Sequence, residues 1–152
     1  MHHRPAIICL LLCHSRDGNH NHEGILPNDG IIRRVSTQQI VDDPKVVNGR
    51  RISSSLLFKP SSGENGGLSV DLQRLIEEAG LDAKVFVTTP RWTGSVLLKA
   101  YQLREECFLV GYDPVKDNPY HGEVWGNFSK AKGKKLLQLC SWFVPIENTS
   151  IQ

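Results

Sequence analysis

The segment CFLVGYDPVKDNPYHGEVWGNF, residues 107–128, decides the fold more than any other part of this chain. It begins with a short, continuous apolar run that is typical of a buried strand, and it ends with a second strand-like run. Between them stand Asp113-Pro114 and Asn118-Pro119. A proline pushes the residue before it towards an extended backbone, and Asp and Asn favour turns. The segment therefore predicts two strands joined by a turn that two prolines shape.

Three other segments are predicted to be helical. In LSVDLQRLIEEAGLD, residues 68–82, Ser69 can cap the helix, the apolar residues recur at helical spacing and Gly80 ends it. TGSVLLKAYQLREE, residues 93–106, also spaces its apolar residues helically. SKAKGKKLLQLCSWFV, residues 129–144, begins with a serine that can cap a last helix.

Further strands are expected around Asn48-Gly49, the strongest short turn dipeptide. The second of them runs through RRISSSLLF, residues 50–58, and AKVFVTTP, residues 83–90, is predicted to be another strand closed by proline. About five strands and three helices in mixed order predict a single α+β domain with a mixed or antiparallel sheet.

The two ends of the chain are predicted to lie outside this domain, which we expect to span residues 25–147. Residues 1–24 carry a short apolar stretch after a basic start, but no signal-peptide cleavage pattern follows it. Five of the six histidines and two cysteines stand there. Their spacing matches no zinc module, so we expect a disordered or mis-assigned leader, with a metal site as the alternative. Residues 148–152 are predicted to be a tail.

Composition narrows the function classes. The 152 residues include 18 basic and 16 acidic ones, a net charge of +2, without the basic excess that is usual in duplex-DNA binders. A nucleic-acid partner is therefore not supported, and the apolar stretches are too short for a membrane span. Cys107 and Cys140 fall in apolar segments and are expected to be unpaired, buried side chains. A disulfide framework is not expected, and a cytoplasmic location is predicted.

His121 and Glu123 form the first candidate site, and both are predicted to be catalytic. The imidazole of His121 can act as a general acid or base near neutral pH. Two positions apart in a strand, the two side chains project to the same side, so the carboxylate can orient the imidazole. Asn118, in the loop just before them, is a candidate ligand-binding residue. The alternative is a loop histidine that bonds its own surroundings beside an exposed glutamate.

The second candidate site lies in the predicted strand 50–58. Arg51, Ser53 and Ser55 would share one face of that strand, where a guanidinium and two hydroxyls can bind a phosphate or a carboxylate. An edge strand with a solvated polar face is the alternative. No serine stands in a nucleophile elbow, which argues against a serine hydrolase.

Two exposed features suggest a partner surface instead. The lysines of SKAKGKK, residues 129–135, lack the glycine spacing of a P-loop and are interpreted as a solvated face or an anion contact. Trp92 stands in a predicted loop, where an exposed indole can mark a ligand or partner surface.

The order of three motifs resembles a family of uncharacterised bacterial proteins. The motifs are Arg-x-Ser-Ser in RRISSSLLF, Leu-Ser-Val-Asp in LSVDLQRLIEEAGLD, and Asn-Pro-x-His in DPVKDNPYHGEVWG. The similarity covers about residues 31 to 145, which leaves the leader outside a domain of ordinary size. It implies no activity.

Two functions follow from the sequence. The first is binding of, or action on, a phosphate-containing or nucleotide ligand, with Arg51, Ser53 and Ser55 holding the anion, His121 as acid or base, and Glu123 orienting it. The second is a non-catalytic interaction module, a defence- or toxin-associated partner protein, that uses the Trp92 loop and the lysine-rich segment. The sequence does not indicate whether a cofactor is used. The first function requires the arginine and the histidine to converge on one pocket.

Overall fold

The computed structural model describes residues 21–61 and 66–152. The described strands are β1 (Gly30–Val35), β2 (Ile40–Asp42), β3 (Arg50–Ile52), β4 (Leu68–Leu72), β5 (Gly94–Lys99), β6 (Leu109–Tyr112), β7 (His121–Trp125) and β8 (Ser141–Val144). The described α-helices are α1 (Ser54–Leu57), α2 (Gln73–Glu78), α3 (Ala83–Phe86), α4 (Ala100–Glu105) and α5 (Lys130–Leu139). The predicted α+β class is confirmed. Strands and helices are both more numerous than predicted.

Six of these strands form one sheet in the order β6-β7-β4-β1-β5-β8, and all its pairings are antiparallel. β2 and β3 form a separate two-stranded hairpin across the turn at Asn48-Gly49. Gly49 takes a φ of 71°, which glycine adopts without a steric penalty. The opening segment supplies the two predicted strands, β6 and β7, and the structure shows that they pair directly.

The sheet buries apolar side chains on both faces because consecutive strand residues point in opposite directions. Ile31 belongs to the larger cluster, which includes Leu57 of α1, Leu103 of α4 and Leu136 of α5. Its neighbour Ile32 belongs to a smaller cluster on the opposite face. The smaller cluster is covered by α2 and α3 through Ile76, Ala83 and Val87. Both clusters border the candidate site, the larger one through Val70 and the smaller one through Phe86, which packs against it.

Three predicted helices are wrong at one end, and the cause is the same in each case. Residues 68–72 are β4, and the helix begins only at Gln73. Likewise β5 runs into α4 at Ala100, and α5 gives way to β8 after Cys140. Because no glycine or proline separates strand from helix at these junctions, apolar residues of a buried strand extend the helical pattern.

Two predicted strands are also wrong, because each contains a short helix with a side-chain cap. Residues 50–58 are a strand only as far as Ile52, and Ser53 Oγ accepts from Leu56 N at 3.4 Å at the start of α1. In residues 83–90, Asp82 caps α3 by accepting from Lys84 N and Val85 N. Four-residue helices of this kind leave too little sequence for a helical period to show.

The ends of the predicted domain make further contacts with it. In the predicted tail, Ser150 N donates to Arg50 O and Ser150 O accepts from Ile52 N, and Thr149 is buried. At the other end, Asn21 Oδ1 accepts from Val110 N at 3.2 Å. Residues 1–20 of the predicted leader, and with them most of its alternative metal site, lie outside the described residues.

The two cysteines of the domain differ in state. Cys140 is a free, buried thiol, as predicted, and burial raises its pKa to about 12. Cys107 is disulfide-bonded, so the prediction of an unpaired side chain is wrong there. Disulfides persist mainly in oxidising compartments, so the cysteines no longer support the predicted cytoplasmic location. Within residues 21–61 and 66–152, no helix has the length and apolar character to cross a membrane.

Two glycines give a matched test of the sheet and of α5. A Cβ at Gly122 would lie 2.9 Å from Gly111 O in the neighbouring strand and 2.8 Å from Leu72 Cδ2. We expect Gly122→Ala to lower the free energy of unfolding by about 1–3 kcal/mol, measured by urea denaturation.

Gly133 is the control, because its Cβ would come no closer than 3.6 Å to Ser54 O. Since glycine disfavours a helix interior, Gly133→Ala should raise the free energy of unfolding by about 0.5–1 kcal/mol. A neutral Gly122→Ala variant would contradict the close β6–β7 packing.

Candidate functional site

A polar pocket of about 450 Å³ opens where β1 and β4 part. β1 pairs with β5 along its whole length, but the register with β4 covers only Ile31↔Leu72 and Ile32↔Asp71. Beyond that point the strands diverge. The pocket is lined by Arg33, Arg34, Ser69, Val70, Asp71, Phe86, Trp92, Asp117, Asn118 and His121.

Asp71 is the buried acidic centre of this pocket, with 4% of its surface exposed. Its carboxylate accepts two hydrogen bonds from Arg34, from Nε at 2.8 Å and from Nη2 at 3.1 Å. It accepts a third from Asn118 Nδ2 at 2.7 Å. A buried charge is tolerated only when it is paired and hydrogen-bonded, and Asp71 meets both conditions.

Asn118 connects the proline-containing loop to that carboxylate. While its amide nitrogen donates to Asp71, its Oδ1 accepts from Tyr120 N at 2.9 Å. Tyr120 O then accepts from Leu72 N at 2.9 Å. The loop between β6 and β7 is thereby fixed to β4, and its last residue leads directly into His121.

His121 is held in one orientation at the edge of the pocket. Its Nδ1 lies 2.7 Å from Asp113 O, and 14% of its side chain is exposed. A carbonyl can only accept, so Nδ1 carries the proton and Nε2 bears the lone pair in the neutral ring. Nε2 makes no hydrogen bond to any residue of the described ranges. The imidazole therefore presents a basic nitrogen that the fold itself does not use.

Glu123 lies two positions further along β7, opposite Ser69 of β4. Burial raises the pKa of its carboxyl, and Asp113 raises it further, while His121 and Arg33 act in the opposite direction. Its Oε2 is buried and has no hydrogen-bond partner among the described residues. A Cβ at Gly67 would lie 3.1 Å from Glu123 Cδ, so a glycine lets the backbone pass beside this carboxyl.

Arg33 fills the gap between the diverging strands. Its Nε donates to Leu57 O at 3.0 Å, and its Nη1 donates to Ser69 O at 2.9 Å. Burial lowers its pKa to about 10, so the guanidinium stays charged at neutral pH. It forms no ion pair within 4 Å in the described part of the chain, and its Nη2 has no hydrogen-bond partner there. Glu123 and Asp71 act on this charge only from beyond ion-pair distance, so Arg33 offers the pocket a guanidinium that no described carboxylate contacts.

Two aromatic side chains form another wall of the pocket. The guanidinium carbon of Arg34 lies over Phe86, 5.7 Å from the centroid of the phenyl ring. The same ring packs edge-on against Tyr120. Trp92 carries the guanidinium of Arg91 at 5.0 Å from its ring. Flat apolar faces beside arginines suit a ligand that has both a planar group and a negative charge.

The structure brings together only part of the predicted site. Asn118 and His121 line the pocket, and Glu123 lies beside them on β7. Arg51 instead pairs with Asp43 at 2.7 Å. The shared strand face predicted for the anion site does not exist.

The serines of that predicted anion site serve the backbone and each other. Ser53 caps α1, and its Oγ lies 3.2 Å from Ser55 Oγ. Ser55 lines a separate cavity of about 350 Å³ beside Lys130. Neither serine lines the pocket that holds His121.

Sequence reasoning missed Arg33, Arg34 and Asp71. A signal for the arginines was present, because two consecutive charges inside the apolar strand GIIRRV must point to opposite faces. At least one of them is therefore driven towards the interior. Asp71, placed between Val70 and Leu72, carries a similar signal once LSVDL is recognised as a strand.

The predicted lysine face is largely solvated. Lys130, Lys134 and Lys135 are exposed, and Lys132 pairs with Glu106 at 3.3 Å. Ser129 caps α5, as predicted, by accepting from the main-chain nitrogen of residue 132. Among the described residues, no group of three or more His, Cys, Asp or Glu side chains is placed to hold a metal ion.

Breaking the central ion pair tests its role in the fold. Asp71→Asn leaves the half-buried Arg34 without a countercharge and loosens the loop, so we expect the free energy of unfolding to fall by about 3 kcal/mol in urea denaturation. Glu78→Gln, which breaks the exposed pair with Arg74 at 3.2 Å, is the control and should change it by less than about 0.5 kcal/mol. If the two variants change the free energy of unfolding equally, the ion pair of Asp71 does not stabilise the fold more than an exposed pair does.

The buried carboxyl of Glu123 predicts a pH dependence of stability. Its pKa is higher in the folded than in the unfolded chain, so the folded state binds the extra proton. Its contribution to stability is greatest below the ordinary carboxyl pKa and is lost as the pH rises through the folded value. Glu123→Gln should therefore raise the melting temperature more at pH 8 than at pH 4. A gain that is the same at both pH values would contradict the burial of a titrating carboxyl.

Comparison with known proteins adds no homologue to this description. No protein-family model matches the chain, and no curated protein sequence matches it. No solved structure matches it either. The function is therefore argued from the geometry of the pocket alone.

Proposed function

We propose that this protein binds a phosphate-containing ligand in the pocket between β1 and β4 and acts on it by acid–base chemistry. One observation carries the proposal. The pocket joins Arg33, a guanidinium with an unused Nη2, to His121, an imidazole with an unused Nε2. This is the sequence-based ligand hypothesis with a different anion site, since Arg33 takes the place that Arg51 was predicted to fill.

The guanidinium of Arg33 favours a phosphate ligand because of its geometry. A guanidinium presents its N–H groups in a planar fork that matches the oxygens of a phosphate or a carboxylate. Backbone carbonyls already fix two nitrogens of Arg33, so its remaining donors are oriented before a ligand arrives. Partial burial strengthens the attraction, because fewer waters screen the charge.

The imidazole supplies the acid–base part of the proposal. The bond from Nδ1 to Asp113 O sets the tautomer, as the orienting partner does in many catalytic histidines. Asp71 and Asn118 act as positioning residues, because they hold the loop that ends at His121. Glu123 lies on the same side of β7 and can exchange a proton with the ligand or tune the imidazole.

The interaction module remains the second hypothesis, and its two predicted elements do not form one surface. Trp92 lines the pocket that contains His121, whereas Lys130 lines the separate cavity beside α1. No observation favours it over a ligand site, so it stands as the outcome if no phosphate compound binds.

Ligand-induced stabilisation tests the proposal, with inorganic phosphate and adenosine 5′-monophosphate as probes. At a hundredfold excess over its dissociation constant, a ligand stabilises by about 2.7 kcal/mol, which is roughly 5–10 °C in melting temperature for a chain of this size. The wild-type protein should show such a shift. Arg33→Met should lose it, because the unpaired guanidinium is gone.

Arg51→Met is the matched control, because it removes an arginine that pairs with Asp43 outside the pocket. It should keep the full shift with both probes. A shift that survives in Arg33→Met, or that disappears in Arg51→Met, would move the anion site away from the pocket. No shift with either probe would leave the interaction module as the better account.

A further inference from the structure

We infer that the ligand of this pocket is a phosphodiester within an RNA strand, and that His121 and Glu123 cleave it by transfer to the neighbouring 2′-hydroxyl. The inference rests on the proposed function and deepens it by naming the substrate and the reaction. It goes against the weak basic excess of the whole sequence, which by itself gives no support to a nucleic-acid partner.

The balance of charges in the pocket favours a ligand that carries a single negative charge. Arg34 is neutralised by Asp71 through two hydrogen bonds, and the exposed Asp117 adds a negative charge at the rim. Arg33 is the one pocket arginine without a carboxylate partner among the described residues. An internal phosphodiester carries one charge, whereas a nucleoside di- or triphosphate carries several and would meet Asp71 and Asp117 unfavourably.

The spacing of His121 and Glu123 suits an in-line displacement at phosphorus. Residues two apart in a strand lie about 6.6 Å from each other and point to the same side. In such a displacement the attacking and leaving oxygens stand on opposite sides of the phosphorus. One group can therefore serve the attacking oxygen while the other serves the leaving oxygen.

The aromatic wall and the rim extend the site beyond one phosphate. The guanidiniums of Arg34 and Arg91 lie over the rings of Phe86 and Trp92, so a base would stack on the ring faces that these arginines leave open. Such stacking is tolerant of sequence. Arg91, over Trp92, is exposed and adds a positive charge beside the pocket that a second phosphate could meet.

The reaction needs no further reactant. His121 Nε2 takes the proton of the ribose 2′-hydroxyl, and the 2′-oxygen forms a bond to phosphorus. The bond from phosphorus to the 5′-oxygen breaks, and that oxygen takes a proton from the Glu123 carboxyl. The guanidinium of Arg33 stabilises the charge on the non-bridging oxygens. The products are a 2′,3′-cyclic phosphate and a 5′-hydroxyl, and proton exchange with water restores both side chains.

The test incubates the purified full chain with three 5′-labelled strands of 20 nucleotides. The strands share one mixed sequence and are made of RNA, 2′-O-methyl RNA or DNA. Only RNA should be cut, and the upstream fragment should end in a cyclic phosphate that phosphatase cannot remove. His121→Gln and Glu123→Gln should each slow cleavage by about 10²–10⁴. Arg51→Met should cut at the wild-type rate.

Glu123→Gln guards against misfolding, because it replaces a partly buried, titrating carboxyl by a neutral amide of the same size and should be at least as stable as the wild type. Equal cleavage by the wild type and by both glutamine variants would overturn the inference and indicate a contaminating nuclease. If phosphate raises the melting temperature in an Arg33-dependent way but RNA is not cleaved, the RNA reaction alone is overturned. If there is neither a melting-temperature shift with phosphate nor cleavage of RNA, the proposed function is overturned as well.

Discussion

The carboxylate of Asp71 is the constraint on which the rest of the site depends. It lies in the central strand β4 and is buried, so it must be paired. Arg34 pairs with it from β1, and Asn118 binds it from the loop between β6 and β7. One buried charge thus connects three separate parts of the chain. The position of His121 follows, because the loop that leads into it is fixed at Asn118.

The diverging strands explain why a pocket exists on a sheet that is otherwise continuous. Where β1 and β4 stop pairing, two rows of backbone groups lose their partners, and Arg33 satisfies Ser69 O in that gap. A guanidinium can do so because it has five donors and needs only some of them for the backbone. The remainder face the pocket. The same side chain therefore satisfies a backbone carbonyl that lacks a strand partner and supplies the charge that a ligand would meet.

The sequence was informative wherever proline, glycine or a cap marks a boundary. β6 and β7, the turn at Asn48-Gly49 and the start of α5 were all predicted for that reason. It was uninformative where strand passes into helix without such a residue, as at Leu72 and at Lys99. Apolar periodicity then spans both elements, because a buried strand and a buried helical face draw on the same residues.

The site was predictable in part for a related reason. His121, Asn118 and Glu123 stand on the hairpin that local sequence specifies, so their proximity could be inferred. Arg33 comes from a strand more than eighty residues earlier, and its place opposite the hairpin depends on strand order. Strand order is set by pairing between distant segments, which no local pattern encodes.

The positions that break local rules lie on three neighbouring strands of the sheet, β7, β4 and β1. Arg33, Asp71 and Glu123 are charged residues inside strands, where apolar side chains pack more favourably. The buried polar atoms without a described partner are Ser95 Oγ, Glu123 Oε2 and Trp125 Nε1. Ser95 stands opposite Arg34, and Glu123 opposite Ser69, so both lie on the strands next to the two that frame the pocket.

Natural sequences tolerate such local conflicts mainly at functional sites, because elsewhere they only reduce stability. A purely structural account would scatter them over the sheet, yet β6 and β8 carry none of these charged strand positions. Apolar clusters on both faces supply the stability that this polar group lowers. Their concentration around His121 therefore supports a selected binding site more strongly than any single residue does.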